Sequence, residues 1–212
     1  INMFNLCYCG HPGCKKPAIS VISGNGELST QRLFCHEHCP DPQKVANDIC
    51  EYVEKNDTII GLTAIGIHFE NLNFSGKRFY GCNFSHATFT NIHSEGMRIR
   101  TSIFDLCTFS DCSFVKSNIQ YASFSGSTFS HTIFTNSDLV HNNFNGITAY
   151  QSSFDDSDLF NSRFIRANLT NTSFRNCNIK KAYFYEIATE NASFKLSNTR
   201  EALFSDDGDI FL

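Results

Sequence analysis

The sequence has no tryptophan and only 4 proline and 2 methionine residues, and charged side chains make up 18% of it. That charge content is below the usual quarter of a globular chain. The net charge of −4 is too mild to mark a nucleic-acid binder or a strongly acidic mimic. No apolar run approaches the roughly 18 residues that a membrane span needs. The start, Ile1-Asn2-Met3-Phe4, lacks a basic region followed by a hydrophobic stretch, so no signal peptide is read there. Against these shortages stand 22 phenylalanines. So many must be placed by a rule, or the chain would aggregate. There are 10 cysteines, six of them within residues 1–50. The uneven spread argues against a disulfide framework. It suits a metal site plus buried thiols in a reducing, cytoplasmic compartment.

The rule is a register of five. From Phe69 to Phe204 it has 28 positions, of which 18 are Phe and six are Ile99, Ile119, Leu139, Leu159, Leu169 and Ile179. Ser94, Ala149, Thr189 and Thr199 are the four departures, and nothing is inserted or deleted. Two residues before most centres stands a small side chain, such as Ala87, Cys107, Ser117, Ala167 or Cys177, with Lys77 and Asn142 as clear exceptions. Two residues after it, Gly and Asn are frequent, as at Gly76, Gly126, Gly146, Asn161 and Asn171, and both suit tight turns. This is neither a helix period nor a simple strand period. It describes a short segment with one large and one small residue inside, followed by a corner.

A second period gives the shape. Taking every fourth centre, Phe84, Phe104, Phe124, Phe144, Phe164, Phe184 and Phe204 form one set without exception. Phe79, Ile99, Ile119, Leu139, Leu159, Ile179 and Thr199 form another, aliphatic after its first member. A 20-residue modulation is what stacked faces of a four-sided coil produce. The expected fold is therefore an all-β solenoid of about seven coils, roughly 34 Å long at the usual strand spacing. Burying its large apolar side chains at roughly 1.5–3 kcal/mol each is ample for a self-supporting core.

Segments such as Ala167-Asn168-Leu169-Thr170-Asn171 and Ser157-Asp158-Leu159-Phe160-Asn161 resemble the repeat unit of the pentapeptide-repeat proteins. The resemblance covers residues 57–206. It implies a right-handed quadrilateral β-helix with both the large and the small residue pointing inward. It also implies a non-catalytic role in binding other proteins, because members share the fold far more than a function. Some mimic DNA and bind type II topoisomerases, some are bacterial effectors delivered into a host cell, and some are regulators. Solenoids expose long flat faces, which suits binding.

Residues 7–39 read Cys-Tyr-Cys-Gly-His-Pro-Gly-Cys, a spacer, then Cys-His-Glu-His-Cys. The spacer holds a β-like segment, Ile19-Ser20-Val21-Ile22, and a turn, Gly24-Asn25-Gly26. Two cysteine knuckles around a hairpin resemble a zinc ribbon. Zinc takes four thiolate or imidazole ligands in a tetrahedron, and Cys9, Cys14, Cys35 and His38 are the candidate set for a structural Zn2+. Cys7, Cys39, His11 and His36 are alternates able to replace one of them. Reduced thiols or a disulfide in a loop-rich lobe are the competing reading. A catalytic zinc needs an open position and a general base, and four such ligands close the site. Asp41-Pro42 then starts a helix to about Lys55, with Asp at the cap and Pro at the first helical position. Val45, Ile49, Tyr52 and Val53 line one face of it. The expected division is a zinc-ribbon-like module at 1–40, a capping helix at 41–56, the β-helix at 57–206 and a tail at 207–212. The tail is a candidate cover for the last coil, or a homodimer contact at the C-terminal end.

The inward Cys82, Cys107, Cys112 and Cys177 are read as packing. His68, His86, His93, His131 and His141 form no catalytic constellation, and no Ser/His/Asp arrangement or phosphate-binding glycine loop is present. Val140, Phe160, Arg163, Ile165, Tyr183, Tyr185 and Leu203 gather on two adjoining outer faces, and a cluster of exposed apolar residues is a candidate partner face. Arg78, Arg98 and Arg100 beside Tyr80 read as a solvated basic patch. The ladder Thr88, Thr108, Thr128 and Thr148 reads as ordinary strand propensity, interrupted by Tyr150. The leading expectation is a scaffold for an unidentified protein partner, with no enzymatic activity. The alternative is a DNA-mimicking binder of type II topoisomerase, which calls for a strongly acidic surface. Here Arg78, Arg98, Arg100, Arg163, Arg175 and Lys180 interleave with the acids. The near-neutral N-terminal module argues against nucleic acid.

Overall fold

A corner every five residues organises the chain. In the computed structural model, which describes residues 7–29 and 33–204, the backbone enters the left-handed region at Gly61 and again at every fifth residue to Leu196. Glycine holds seven of these corners, and the other 21 carry residues such as Asn71, Asp111, Tyr121 and Lys181. A non-glycine residue there costs roughly 1–2 kcal/mol, and it is tolerated because the ladder on either side fixes the turn. Four corners close one coil. Thr108, Thr128 and Thr148 pair in parallel register, as do Arg78, Arg98 and Asn118, so the coil repeats at 20 residues. The result is a right-handed β-helix of about seven turns. Its longest sheet has seven parallel strands, from His68–Glu70 to Ala188–Glu190. The helix begins two faces earlier than the phenylalanine register, with Thr58–Ile60 pairing to Arg78–Tyr80.

The large side chains fill the axis. Phe84, Phe104, Phe124, Phe144, Phe164, Phe184 and Phe204 stack with near-parallel rings, centroids 4.8–5.1 Å apart. Rings on the adjoining face meet them edge-on, as Phe164 meets Phe154 at 89° and Phe174 at 90°. These are the two arrangements that aromatic pairs favour. A gap of about 10 Å³ lined only by apolar residues remains along the axis, no more than one water needs and without polar partners to hold it.

The small inward residues also carry hydrogen bonds. Ser162 Oγ accepts from the Asn142 N–H (2.9 Å) of the coil below and donates to the Leu139 carbonyl (2.7 Å). Ser127 does the same between Cys107 and Phe104. Asn142, an exception by size, belongs to this set: its Oδ1 accepts from the Ala122 N–H (2.9 Å) and its Nδ2 donates to the Ile119 carbonyl (2.8 Å). The abundance of serine thus serves buried backbone groups, which must be paired.

Helix α1 spans Pro42–Lys55, starts at Asp41, whose carboxylate accepts from the Lys44 N–H, and buries Ile49 and Val53. These residues and Ile19 join Ile59, Leu62 and Ile67 in one continuous core. Lys77, the other exception, is buried beneath the helix, and its Nζ donates to the carbonyls of Glu54 and Asn56, each at 2.9 Å. A cation at the C-terminal end also suits the helix dipole. The module contributes the missing neighbour of the first coil: the Ser20 N–H donates to the Thr63 carbonyl (2.8 Å), and the Thr63 N–H donates to Ser20 Oγ (2.9 Å). The expected tail at 207–212, with its homodimer contact, lies outside the described residues.

Lys77→Met keeps the length of the side chain but leaves those carbonyls without their donor, and Ser162→Ala orphans a buried N–H and a buried carbonyl. Each is expected to destabilise the protein by about 1–3 kcal/mol, read as a lower urea midpoint.

Candidate metal centre and partner face

The N-terminal lobe is built from short loops. Tyr8 and Pro17 form one antiparallel bridge and Ile22 and Leu28 another. Two tight turns bring the metal-ligand types inward, closed by the Cys14 N–H on the His11 carbonyl and the His38 N–H on the Cys35 carbonyl, both at 3.1 Å. The knuckles are tied together by Gly10 N–H to Leu33 carbonyl and Ile19 N–H to Phe34 carbonyl, both at 2.9 Å.

Cys9, Cys14, Cys35 and His38 lie together, with all ligand atoms within 4.8 Å of one another. Cys14 Sγ is 3.9 Å from Cys35 Sγ, and His38 Nδ1 is 3.5 Å from Cys9 Sγ and 3.3 Å from Cys35 Sγ. A tetrahedral zinc site with ordinary bond lengths has edges of about 3.8 Å between sulfurs and about 3.5 Å between sulfur and nitrogen. The four residues therefore fit a metal ion. Burial alone would raise the Cys9 thiol, but backbone N–H groups of Cys35 and His11 and the His38 ring outweigh it and lower its pKa to about 6. The Lys16 N–H acts likewise on Cys14, although burial and the Cys35 and Cys9 sulfurs raise that thiol overall. At Cys9 and at Cys14 the N–H two residues on, of His11 or Lys16, points at the sulfur, an outer contact that steadies a metal thiolate. Of the alternates, His11 stacks on His38 at 3.9 Å and 4°, and Cys7, Cys39 and His36 stand outside the cluster. All 10 cysteines are free thiols.

Arg163, Tyr183 and Leu203 follow one another in register on the outside of the Phe124 face, and Leu203 is 40% exposed. Tyr183 and Tyr185 meet at 5.9 Å, and both are half-buried, as are Ile165, Val140 and Phe160. The structure adds residues that pattern reading passed over. Tyr121, 57% exposed, stacks on His141 at 4.9 Å and 3°, and His141 meets the Phe160 ring edge-on at 5.5 Å. Asn161 Nδ2 lies 2.9 Å from His141 Nδ1, and Lys181 Nζ sits 5.6 Å above the Phe160 ring. Tyr121, His141 and Lys181 occupy corners of one column, where glycine or asparagine suits the left-handed backbone better. Bulky residues at such corners, spaced by 20, are the sequence signal that could have found this ridge.

Other surface groups are held more quietly. Arg100 donates to the Ile99 and Asn118 carbonyls at 2.9 and 3.0 Å. Thr88, Thr108, Thr128 and Thr148 stand in register on the seven-stranded sheet. At the corner beside it a Cβ on Gly126 would lie 2.8 Å from Leu106 Cδ2, so a larger residue there would push aside the exposed Leu106 side chain that folds over it. No described helix is long and apolar enough to cross a membrane.

Two family models match the chain: one described as a pentapeptide repeat region, over residues 127–204, and one as pentapeptide repeats in eight copies, over residues 107–146. None of the curated proteins matches. Among solved structures, a trypsin-treated variant of QnrB1, a plasmid-mediated fluoroquinolone resistance protein, is 15% identical with a TM-score of 0.52 over 68% of this chain and 82% of that one. Rfr23, a pentapeptide repeat protein from the cyanobacterium Cyanothece, is 19% identical with a TM-score of 0.42, over 44% of this chain and 64% of its own length. At these identities the likeness to QnrB1 is one of fold.

Burial pushes the Cys82, Cys107 and Cys177 thiols up to about 12 and Cys112 to about 11. They stay protonated at neutral pH, and the thiolate is the reactive form. Alkylation followed by mass spectrometry is expected to spare these four in the native protein and to label them after unfolding. A thiol whose pKa is raised on folding stabilises the protein fully below its unfolded value of 9.0 and loses that contribution as pH climbs toward the folded value. Stability is therefore expected to fall above pH 9, by up to about 1.4 kcal/mol per pH unit for each thiol.

Proposed function

The repeat region of this chain belongs to the pentapeptide-repeat family, and on that footing we propose that the protein is a non-catalytic scaffold that binds another protein through its outer faces. In this reading residues 1–40 hold a structural zinc, residues 41–56 cap the solenoid, and residues 57–206 present the binding surface. The observation that carries it is a pair of outward aromatic groups on adjoining faces, Tyr121–His141–Phe160 and Tyr183–Tyr185. Tyr, Phe and Arg are the residues enriched at the centres of protein interfaces. Val140, Arg163, Ile165, Lys181 and Leu203 complete the face. The inner half of every repeat is committed to packing, which leaves the outside to carry specificity.

Zinc is the metal that three sulfurs and one imidazole in a closed cluster favour. The ion would tie two loops that share few backbone bonds, and so hold Ser20 and Ile19 against the first coil. Purified protein is expected to contain one zinc per chain. Cys14→Ser should release it and speed hydrogen exchange at the Ser20 and Thr63 amides while leaving Phe164 protected. Metal content should also fall as pH falls, because protons compete for the sulfurs and His38. Protein purified without chelator and found free of zinc would remove this part of the proposal.

For the partner face, a variant carrying Phe160→Asp, Tyr183→Asp and Tyr185→Asp is expected to lose about tenfold or more in affinity for a partner recovered with the wild-type chain. Unchanged binding would exclude this face as the main contact. A topoisomerase-directed DNA mimic is the second reading, suggested by the fold likeness to a fluoroquinolone resistance protein. The mixed surface charge disfavours it: Arg166 pairs with Glu186, Lys116 with Glu95 and Lys180 with Glu201. No change in gyrase supercoiling at micromolar protein is expected.

A further inference from the structure

The first coil has no coil beneath it, and this leaves a backbone group uncovered inside a cleft. In later coils the residue following the centre of the Phe124 face directs its carbonyl toward the N-terminal end of the solenoid. There it accepts the corner N–H of the preceding coil: Gly66 donates to Ser85 (3.0 Å), His86 to Asp105 (2.9 Å), Gly126 to Asn145 (2.9 Å) and Gly146 to Ile165 (2.8 Å). Ile65 holds this position in the first coil. Ser20 stands in for the missing coil at Thr63, but its strand does not continue to Ile65. Among the described residues neither the carbonyl nor the N–H of Ile65 has a hydrogen-bond partner.

Ile65 lines a cleft of 570 Å³ between the metal lobe and the first coils. Lys16, His36 and Glu37 wall it on the lobe side, and Ser85 and His86 on the solenoid side, over a floor that includes Pro17 and Ile19. The charges of Lys16 and Glu37 satisfy each other, so the cleft offers no net field to a small ion. His36 lies over the Gly66 backbone, its Cδ2 3.7 Å from where a Cβ would stand, and His86 occupies a corner with φ of 60°. Neither imidazole has a hydrogen-bond partner among the described residues. An open carbonyl at the uncovered end of the solenoid, an apolar floor and two uncommitted donor–acceptor rings suit a chain of amides rather than a metal or a phosphate.

We infer that this cleft binds a short extended peptide segment of another protein, which adds to the first coil through the Ile65 backbone and is read by His36 and His86. The addition of a strand to an exposed sheet edge is a general mode of peptide recognition: backbone bonds supply affinity and side-chain pockets supply selectivity. The site is separate from the partner face, whose residues lie in the later coils, so either can stand without the other. His36 and His86 lie outside the metal cluster, so changing them tests the cleft and not the ion.

The test uses the full, zinc-loaded chain and a phage-displayed library of linear peptides about twelve residues long, a length that spans such a cleft when extended. Recovered peptides are synthesised, and their affinities are measured by fluorescence polarisation. The double variant His36→Ala, His86→Gly should weaken binding about tenfold or more with metal content and circular dichroism unchanged. Methylating alternate backbone nitrogens of the peptide should abolish binding in one register and spare it in the other. The inference is overturned if no peptide is enriched or if the peptides bind the double variant as well as the wild type. It is also overturned if methylation is tolerated in both registers, or if free histidine or inorganic phosphate displaces the peptides at equal concentration, which would mark a small-molecule site.

Discussion

Every fifth residue of the solenoid must adopt the left-handed backbone conformation, and the rest of the structure depends on that turn. Four such turns return the chain to a point directly above where it began. Coil stacking, parallel pairing at 20 residues and the alignment of the phenylalanine rings all follow from this closure. An insertion of a single residue that is not looped out would move the inward side chains beside it out of register. That the register runs unbroken from Phe69 to Phe204 is the sequence expression of the same constraint. The backbone strain at the non-glycine corners is spread along the molecule and offset locally by the ladder bonds on both sides.

A solenoid has two ends, and ends are its weak points, because each exposes unpaired strand edges. At the N-terminal end three unrelated devices replace a missing coil. Helix α1 covers the apolar core with Ile49 and Val53. Lys77 occupies a position that elsewhere holds a small residue, and carries its charge to the end of that helix. Ser20, held in place by the metal lobe, supplies the pairing that Thr63 would otherwise lack. Cys9, Cys14, Cys35 and His38 bring the two loops of that lobe together, so that the lobe can serve as a template edge.

The repeat also sets what its inward polar side chains do. It commits the inward cysteines, serines and threonines to packing and to buried backbone groups, and burial keeps the cysteines protonated. What remains free to vary is the outer residue on either side of each centre and the corner itself. Those positions carry the Tyr121–His141–Phe160 ridge on one side of the solenoid and the quiet threonine ladder on another.

The five-residue register, the four-sided coil, the capping helix and the grouping of Cys9, Cys14, Cys35 and His38 as ligand types were all legible in the sequence. Each is a local or strictly periodic feature: one residue type at one spacing suffices to state it. Other features needed the fold. Lys77 and Asn142 read as flaws in the repeat, yet one caps a helix and the other bridges coils, because their partners lie 20 or more residues away in the chain. The Tyr121, His141 and Phe160 stack was passed over because two of its members are corner residues and Phe160 stands just before a corner, so the three meet only across coils. The sequence by itself determined the coil, since the period of its inward residues leaves the backbone no other closed path. Only the tertiary structure decided which outward residues meet and where the first coil is left uncovered, because those depend on neighbours from separate coils and from a lobe outside the repeat.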